Sequence, residues 1–334
     1  MKAQTMPTPQ TVSYLLAVFA VPLVLYFHLL PAVFAGLAVH VLTVRLARRL
    51  PVRWGGLAHK LALTFIVTGV MLAVFGIGFG LWSFLSGHHG MVALMAAVAE
   101  TLENLKRTLP ADFANALPES MVDLREQLSD MLREHGQKIS AMGVAGFKTF
   151  AHVLLGMVIG GMTALHHFDG VERRPALLGF LHARASALAN AFDKVVFAQV
   201  KISALNTLLT AIYLAVILPL FGVHLPLLAI LIPFTFVTGL LPVVGNLISN
   251  TVIVVISLGI SAGVGFASCG FLVAIHKLEY FTNARIVGVE VQARAWELLC
   301  AMLVMEALFG MAGLIAAPVA YAWLKSELRS GALI

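Results

Sequence analysis

From Ile202 to His276 the chain runs for 75 residues without one aspartate, glutamate, lysine or arginine. A membrane-crossing helix needs about 20 predominantly apolar residues, so this stretch exceeds two crossings and holds three or four. The rest of the chain cannot cover so much apolar surface in water. Only 11% of all 334 residues are charged, against about 25% in a soluble domain. Lipid must supply the missing surroundings.

Further spans flank this core. Tyr14–Leu29 and Ala32–Val44 are short and lie either side of Pro31, which predicts a helical hairpin; the first is read as a retained span rather than a cleaved leader. Leu61–Leu85 carries no formal charge, and Thr149–Leu165 follows, its helix starting near Ile139. Leu298–Leu324 is interrupted by Glu306, Gly310, Gly313 and Pro318, and reads either as one crossing or as a bent hairpin. The expected fold class is all-α: a polytopic transmembrane bundle of about eight spans with broken or re-entrant helices. It forms one integral membrane domain over residues 1–334.

Orientation follows the distribution of lysine and arginine. Arg45, Arg48, Arg49, Arg53 and Lys60 occupy one loop, and Arg173, Arg174, Arg184, Lys194 and Lys201 another. Both are expected in the cytoplasm, as is the N-terminus. Residues 87–138 carry five basic and eight acidic residues and are expected outside. Within them, 90–137 form an extracytoplasmic amphipathic region between the third and fourth spans. Met95, Val98, Leu102, Leu105 and Leu109 make one helical seam, and Leu117, Met121, Leu124, Leu128 and Met131 another. Such narrow seams pack either within the chain or between subunits of a homo-oligomer. Gly76/Gly80, Gly156/Gly160 and Gly259/Gly263 have the spacing of close helix crossings.

The net charge of +6 does not indicate nucleic acid, because the cations sit in short stretches without interleaved aromatics. Cys269 and Cys300 lie in apolar sequence and read as buried small hydrophobes. His88-His89 and His166-His167 are adjacent rather than four apart, so neither pair suits a metal. No phosphate loop, zinc helix or serine elbow is present. The expectation is a protein without cofactor or metal, and not an enzyme.

Chemistry concentrates in Gly239-Leu240-Leu241-Pro242-Val243-Val244-Gly245-Asn246, with Pro233 before it and Asn250 after. Proline and glycine break a helix here, and at membrane depth a break survives only where protein or water satisfies the freed backbone. Transporters bind solutes at such breaks; a kink or a tight interhelical turn needs no function. Asn246 and Asn250 share a helical face, and Thr238 adds a hydroxyl. Glu279 and Glu306 are the carboxylates that could complete a pathway. A carboxylate at bilayer depth is costly by about 2.5–3.5 kcal/mol, so Glu306 is either a proton or cation site or a lock for the last hairpin.

Phe221-Gly222-Val223, Leu227-Leu228 and Leu241-Pro242-Val243-Val244-Gly245 together resemble the central signature of the AI-2E family of transporters. The resemblance continues through Glu279, Ile286-Val287-Gly288, Leu308-Phe309-Gly310-Met311-Ala312-Gly313 and Ala317-Pro318. The chain departs from it at Thr282–Arg285 and at Ala295–Glu297. The resemblance implies a bacterial inner-membrane homo-oligomer without cofactor. It also implies export of a small polar solute such as autoinducer-2, or exchange of a cation such as Na+ for H+. The alternatives are a non-transporting membrane scaffold and a passive channel.

Overall fold

The computed structural model describes residues 8–86, 136–166, 175–241, 244–291 and 293–331, with isolated helical positions between 99 and 134. Among the described residues all regular structure is helical. The elements are α1 (Pro9–Tyr26), α2 (Leu30–Arg49), a 3-10 turn (Val52–Trp54), α3 (Gly55–Ser86) and α4 (Gly136–His166). There follow α5 (Ala176–Ile212, extended by a π-helical turn at Tyr213–Ile217 and by Leu218–Leu220), α6 (Leu228–Gly239), α7 (Val244–Ile260), α8 (Ala262–Val291) and α9 (Ala295–Ser330). Six of them are long and apolar enough to span a membrane, while α6, α7 and the first part of α8 are shorter apolar helices. The fold is the polytopic helical membrane bundle the composition demands. The seams within 90–137 fall almost wholly outside the described residues. Glu103 and Arg107 there pair one helical turn apart.

Local chemistry sets the boundaries. Thr8 caps α1 by accepting the Thr11 amide at 3.3 Å, and Pro9 starts the helix where no amide is needed. His28 turns the chain with a positive φ of 55°, and Pro31 opens α2. Arg48 and Arg49 end α2, where cations meet the negative end of the helix dipole. Pro219 has no amide hydrogen to give the helix, and just before it α5 widens so that the Leu218 amide reaches the Tyr213 carbonyl.

The chain packs as two units. The first comprises Met1–Ala73, Val144–Phe197 and Val287–Ile334; the second, Val74–Gly143 and Ala198–Ile286. In the first unit the later part of α9 is central. Its Ala316 packs with Leu25 and Leu30, Val319 with Val41 and Phe192, and Ala322 and Trp323 with Ala191. Where α2 crosses α4, backbone lies against backbone. A Cβ on Gly36 would sit 2.7 Å from the Gly156 carbonyl oxygen, and one on Gly160 would sit 2.7 Å from the Gly36 Cα. Gly156/Gly160 is thus a working close-approach motif. A Cβ on Gly76 would meet nothing, and one on Gly263 only Ser261 Oγ at 3.9 Å, so spacing alone does not make a crossing. Gly160→Val should lower stability in detergent by about 1–3 kcal/mol, since overpacking against backbone cannot relax by a rotamer change. Gly76→Val should leave the thermal midpoint nearly unchanged in the same assay.

By length and apolarity Trp296–Ser330 would count as one crossing. The geometry makes it a hairpin. Glu297 and Lys325, 28 residues apart, would be about 42 Å apart along a straight helix, yet Lys325 Nζ donates to Glu297 Oε2 at 2.5 Å. The Tyr321 hydroxyl donates to the same oxygen at 2.7 Å. The reversal is at Gly310, with φ 61° and ψ −146°, a combination essentially confined to glycine. Near the tip, a Cβ on Gly313 would overlap the Met305 carbonyl. Of the two readings of this segment, the bent hairpin is the one the chain adopts, and Glu297 rather than Glu306 locks it.

One expectation is overturned. Cys269 and Cys300 are exposed rather than buried. In a membrane protein an apolar residue gains as much by facing lipid as by facing the core, so burial does not follow from apolarity. The same reasoning covers Phe65, Phe75, Phe147 and Ile159, all of them outward-facing.

Candidate functional site

The second unit contains a column of neutral polar groups. On α5, Gln199, Ser203, Asn206, Thr210 and Tyr213 recur at spacings of four and three, which places them on one helical face. Ser203, Asn206, Thr210 and Tyr213 are buried. The helices α6 and α7 meet this face as an antiparallel pair. Gly245 abuts Thr238 near the tip, and Leu231 and Ile253 share one core cluster further along. The sequence break therefore separates two helices that pack on each other, and α6 ends with the Leu240 and Leu241 amides donating to the Val237 and Thr238 carbonyls. Gly245 is required there, because a Cβ would overlap the Thr238 carbonyl; one on Gly239 would lie 2.6 Å from Ser203 Oγ.

The stripe satisfies groups that the turn leaves open. Gln199 Nε2 donates to the Gly239 carbonyl at 2.8 Å, and Ser203 Oγ donates to the Phe236 carbonyl at 2.7 Å. Both carbonyls lie in the last turn of α6, where helix carbonyls lack intrahelical donors. One turn along α5, Asn206 Nδ2 donates to Asn246 Oδ1 at 2.9 Å, a buried amide pair. Farther along, the hydroxyls of Tyr213 and Ser268 are 3.0 Å apart, and Ser268 Oγ donates to Ser257 Oγ at 2.8 Å. Ser257 and Ser268 face each other because α7 and α8 fold back at Ser261, whose hydroxyl accepts the Val264 amide. Thr210 Oγ1 and Thr207 Oγ1 are buried without a hydrogen-bond partner among the described residues.

Of the residues expected to form a pathway, Thr238, Gly239, Gly245 and Asn246 are brought together. The Thr238 hydroxyl donates back to the Phe234 carbonyl at 2.8 Å, so its remaining capacity is as an acceptor. Asn250 is partly exposed one turn beyond Asn246 and has no hydrogen bond to another described residue. Pro242 lies outside the described residues. Glu279 lies within α8, and its side chain is likewise outside them. Glu306 belongs to the other unit, is exposed on the first arm of α9, and makes no ion pair among the described residues.

Reading residues 202–276 as uniformly apolar conceals Ser203, Asn206, Tyr213, Ser257 and Ser268. The α5 spacing of four, three, four and three is the signal that could have found the first three. Nothing local marks Ser257 and Ser268, which meet only because the chain reverses between them.

A family model described as AI-2E family transporter matches residues 13–331. No curated protein and no solved structure gives a match.

Proposed function

The chain belongs to the AI-2E family of transporters, and from that premise we propose that it is a secondary permease for a small, uncharged, polar solute. The observation that carries this reading is the buried Asn206–Asn246 pair within a segment that has no charged residue. Amides and hydroxyls can replace the water around a polyhydroxylated molecule such as autoinducer-2, donating and accepting without fixing a charge. Proton-coupled cation exchange needs a titrating group, and Asn206, Asn246, Ser203, Tyr213, Ser257 and Ser268 include no carboxylate or histidine. Neutral-solute permeation is therefore favoured over Na+/H+ exchange, and transport over catalysis.

Orientation is part of the proposal. Arg45, at the end of α2, pairs with Asp193 at 2.8 Å, and Arg184 lies over the ring of Tyr14, in the first half of α1, at 4.0 Å. The positive-inside rule would place these cations on the cytoplasmic side of a bacterial inner membrane.

Reconstituted liposomes test the substrate class. Wild-type protein should pass autoinducer-2 and should not pass Na+ in response to a pH gradient. Asn206→Ala and Asn246→Ala should each lower solute flux about tenfold, the equivalent of roughly 1.4 kcal/mol, within the range for an orphaned buried amide. The double variant should fall little further, since either change alone breaks the pair. Proton-coupled Na+ flux without solute flux would refute the reading, as would undiminished solute flux in the folded double variant.

A further inference from the structure

The first unit contains two cavities that meet at one arginine. A polar cavity of about 630 Å³ lies among the starts of α1 and α5 and the end of α9. Four cationic side chains line it, Arg184, Lys194, Lys325 and Arg329, against one carboxylate, Glu327. An apolar cavity of about 380 Å³ lies among α1, α2, α5 and α9, lined by side chains such as Leu16, Val21, Leu37, Leu188 and Val319. Arg184 lines both. Along α1 the lining passes from Gln10 and Tyr14 in the polar cavity to Leu16, Ala20 and Val24 in the apolar one.

We propose that these joined cavities form a binding site for one anionic phospholipid, with its headgroup among Arg184, Lys194 and Arg329 and an acyl chain in the apolar compartment. Two observations converge on that occupant. The polar compartment is cationic, which suits a phosphodiester. The apolar compartment borders on it at Arg184, which lines both, and that suits a molecule with both characters rather than a free anion. The Arg184–Glu327 pair does not neutralise the site, since Lys194 has no acidic partner among the described residues. The proposal needs only that the chain spans a membrane and is independent of what it transports.

Native mass spectrometry of the full-length protein in detergent tests it, with phosphatidylglycerol, phosphatidylcholine and inorganic phosphate as probes. Phosphatidylglycerol should be retained over phosphatidylcholine. The double variant Lys194→Gln/Arg329→Gln should lower phosphatidylglycerol retention by at least about tenfold, given the usual attraction per basic residue near an anionic lipid. Ala20→Trp, which fills the apolar compartment and leaves every charge in place, should lower it comparably without moving the thermal midpoint. Equal retention of the two lipids, or unchanged phosphatidylglycerol retention in either variant, would overturn the proposal. Inorganic phosphate that displaces the lipid fully and is indifferent to Ala20→Trp would overturn it too, identifying a free-anion site.

Discussion

Arg184→Met is expected to destabilise the protein by about 3–5 kcal/mol, the usual consequence of stripping one partner from a buried ion pair. The Arg184 and Glu327 side chains are only 12% and 7% exposed, so neither can recover its hydration when the other is lost. Among the described residues no other cation makes an ion pair with Glu327. Arg184→Met/Glu327→Leu should regain most of the loss, because two packed apolar side chains in place of a buried pair are often neutral or better. Thermal unfolding of the two variants in detergent, beside the wild type, distinguishes the cause. If the double variant is as unstable as the single one, then Arg184 contributes mainly by stacking on Tyr14 and not by compensating charge.

Gly245→Val should abolish transport. Its Cβ would lie 3.1 Å from the Gly239 amide nitrogen and would overlap the Thr238 carbonyl. These are backbone atoms, so no rotamer change relieves them, and the arms of the α6–α7 hairpin must separate. Overpacking of this kind destabilises by about 1–3 kcal/mol. The larger effect falls on function, since Asn246 follows directly and its 2.9 Å bond to Asn206 would be lost. Displacement of about 1 Å at a site can lower a rate by about 100-fold, and solute flux in liposomes should fall at least that far. Gly263→Val is the matched control, because a Cβ there meets only Ser261 Oγ at 3.9 Å. Near wild-type flux in Gly245→Val would remove the hairpin tip from the transport pathway.

What could be read from the chain itself is what the membrane dictates residue by residue. Solvation by lipid is local and additive, so the uncharged run from Ile202 to His276 announces several helices, and Pro31 announces the turn between α1 and α2. The break at Gly239–Asn246 is legible for a similar reason: proline and glycine act on their own turn of helix. What depends on a second helix could not be read. Gly156 and Gly160 are functional as a crossing because Ala32 and Gly36 lie opposite, whereas Gly76 has the same spacing and faces nothing. Asn206 reads as one amide in an apolar run until α7 brings Asn246 to it. Glu297 looks like an ordinary helix-start acid until Gly310 reverses the chain and returns Tyr321 and Lys325 to it. Lipid and core are equally apolar, so hydrophobicity identifies what enters the membrane but not which face turns inward. Contact between helices decides that.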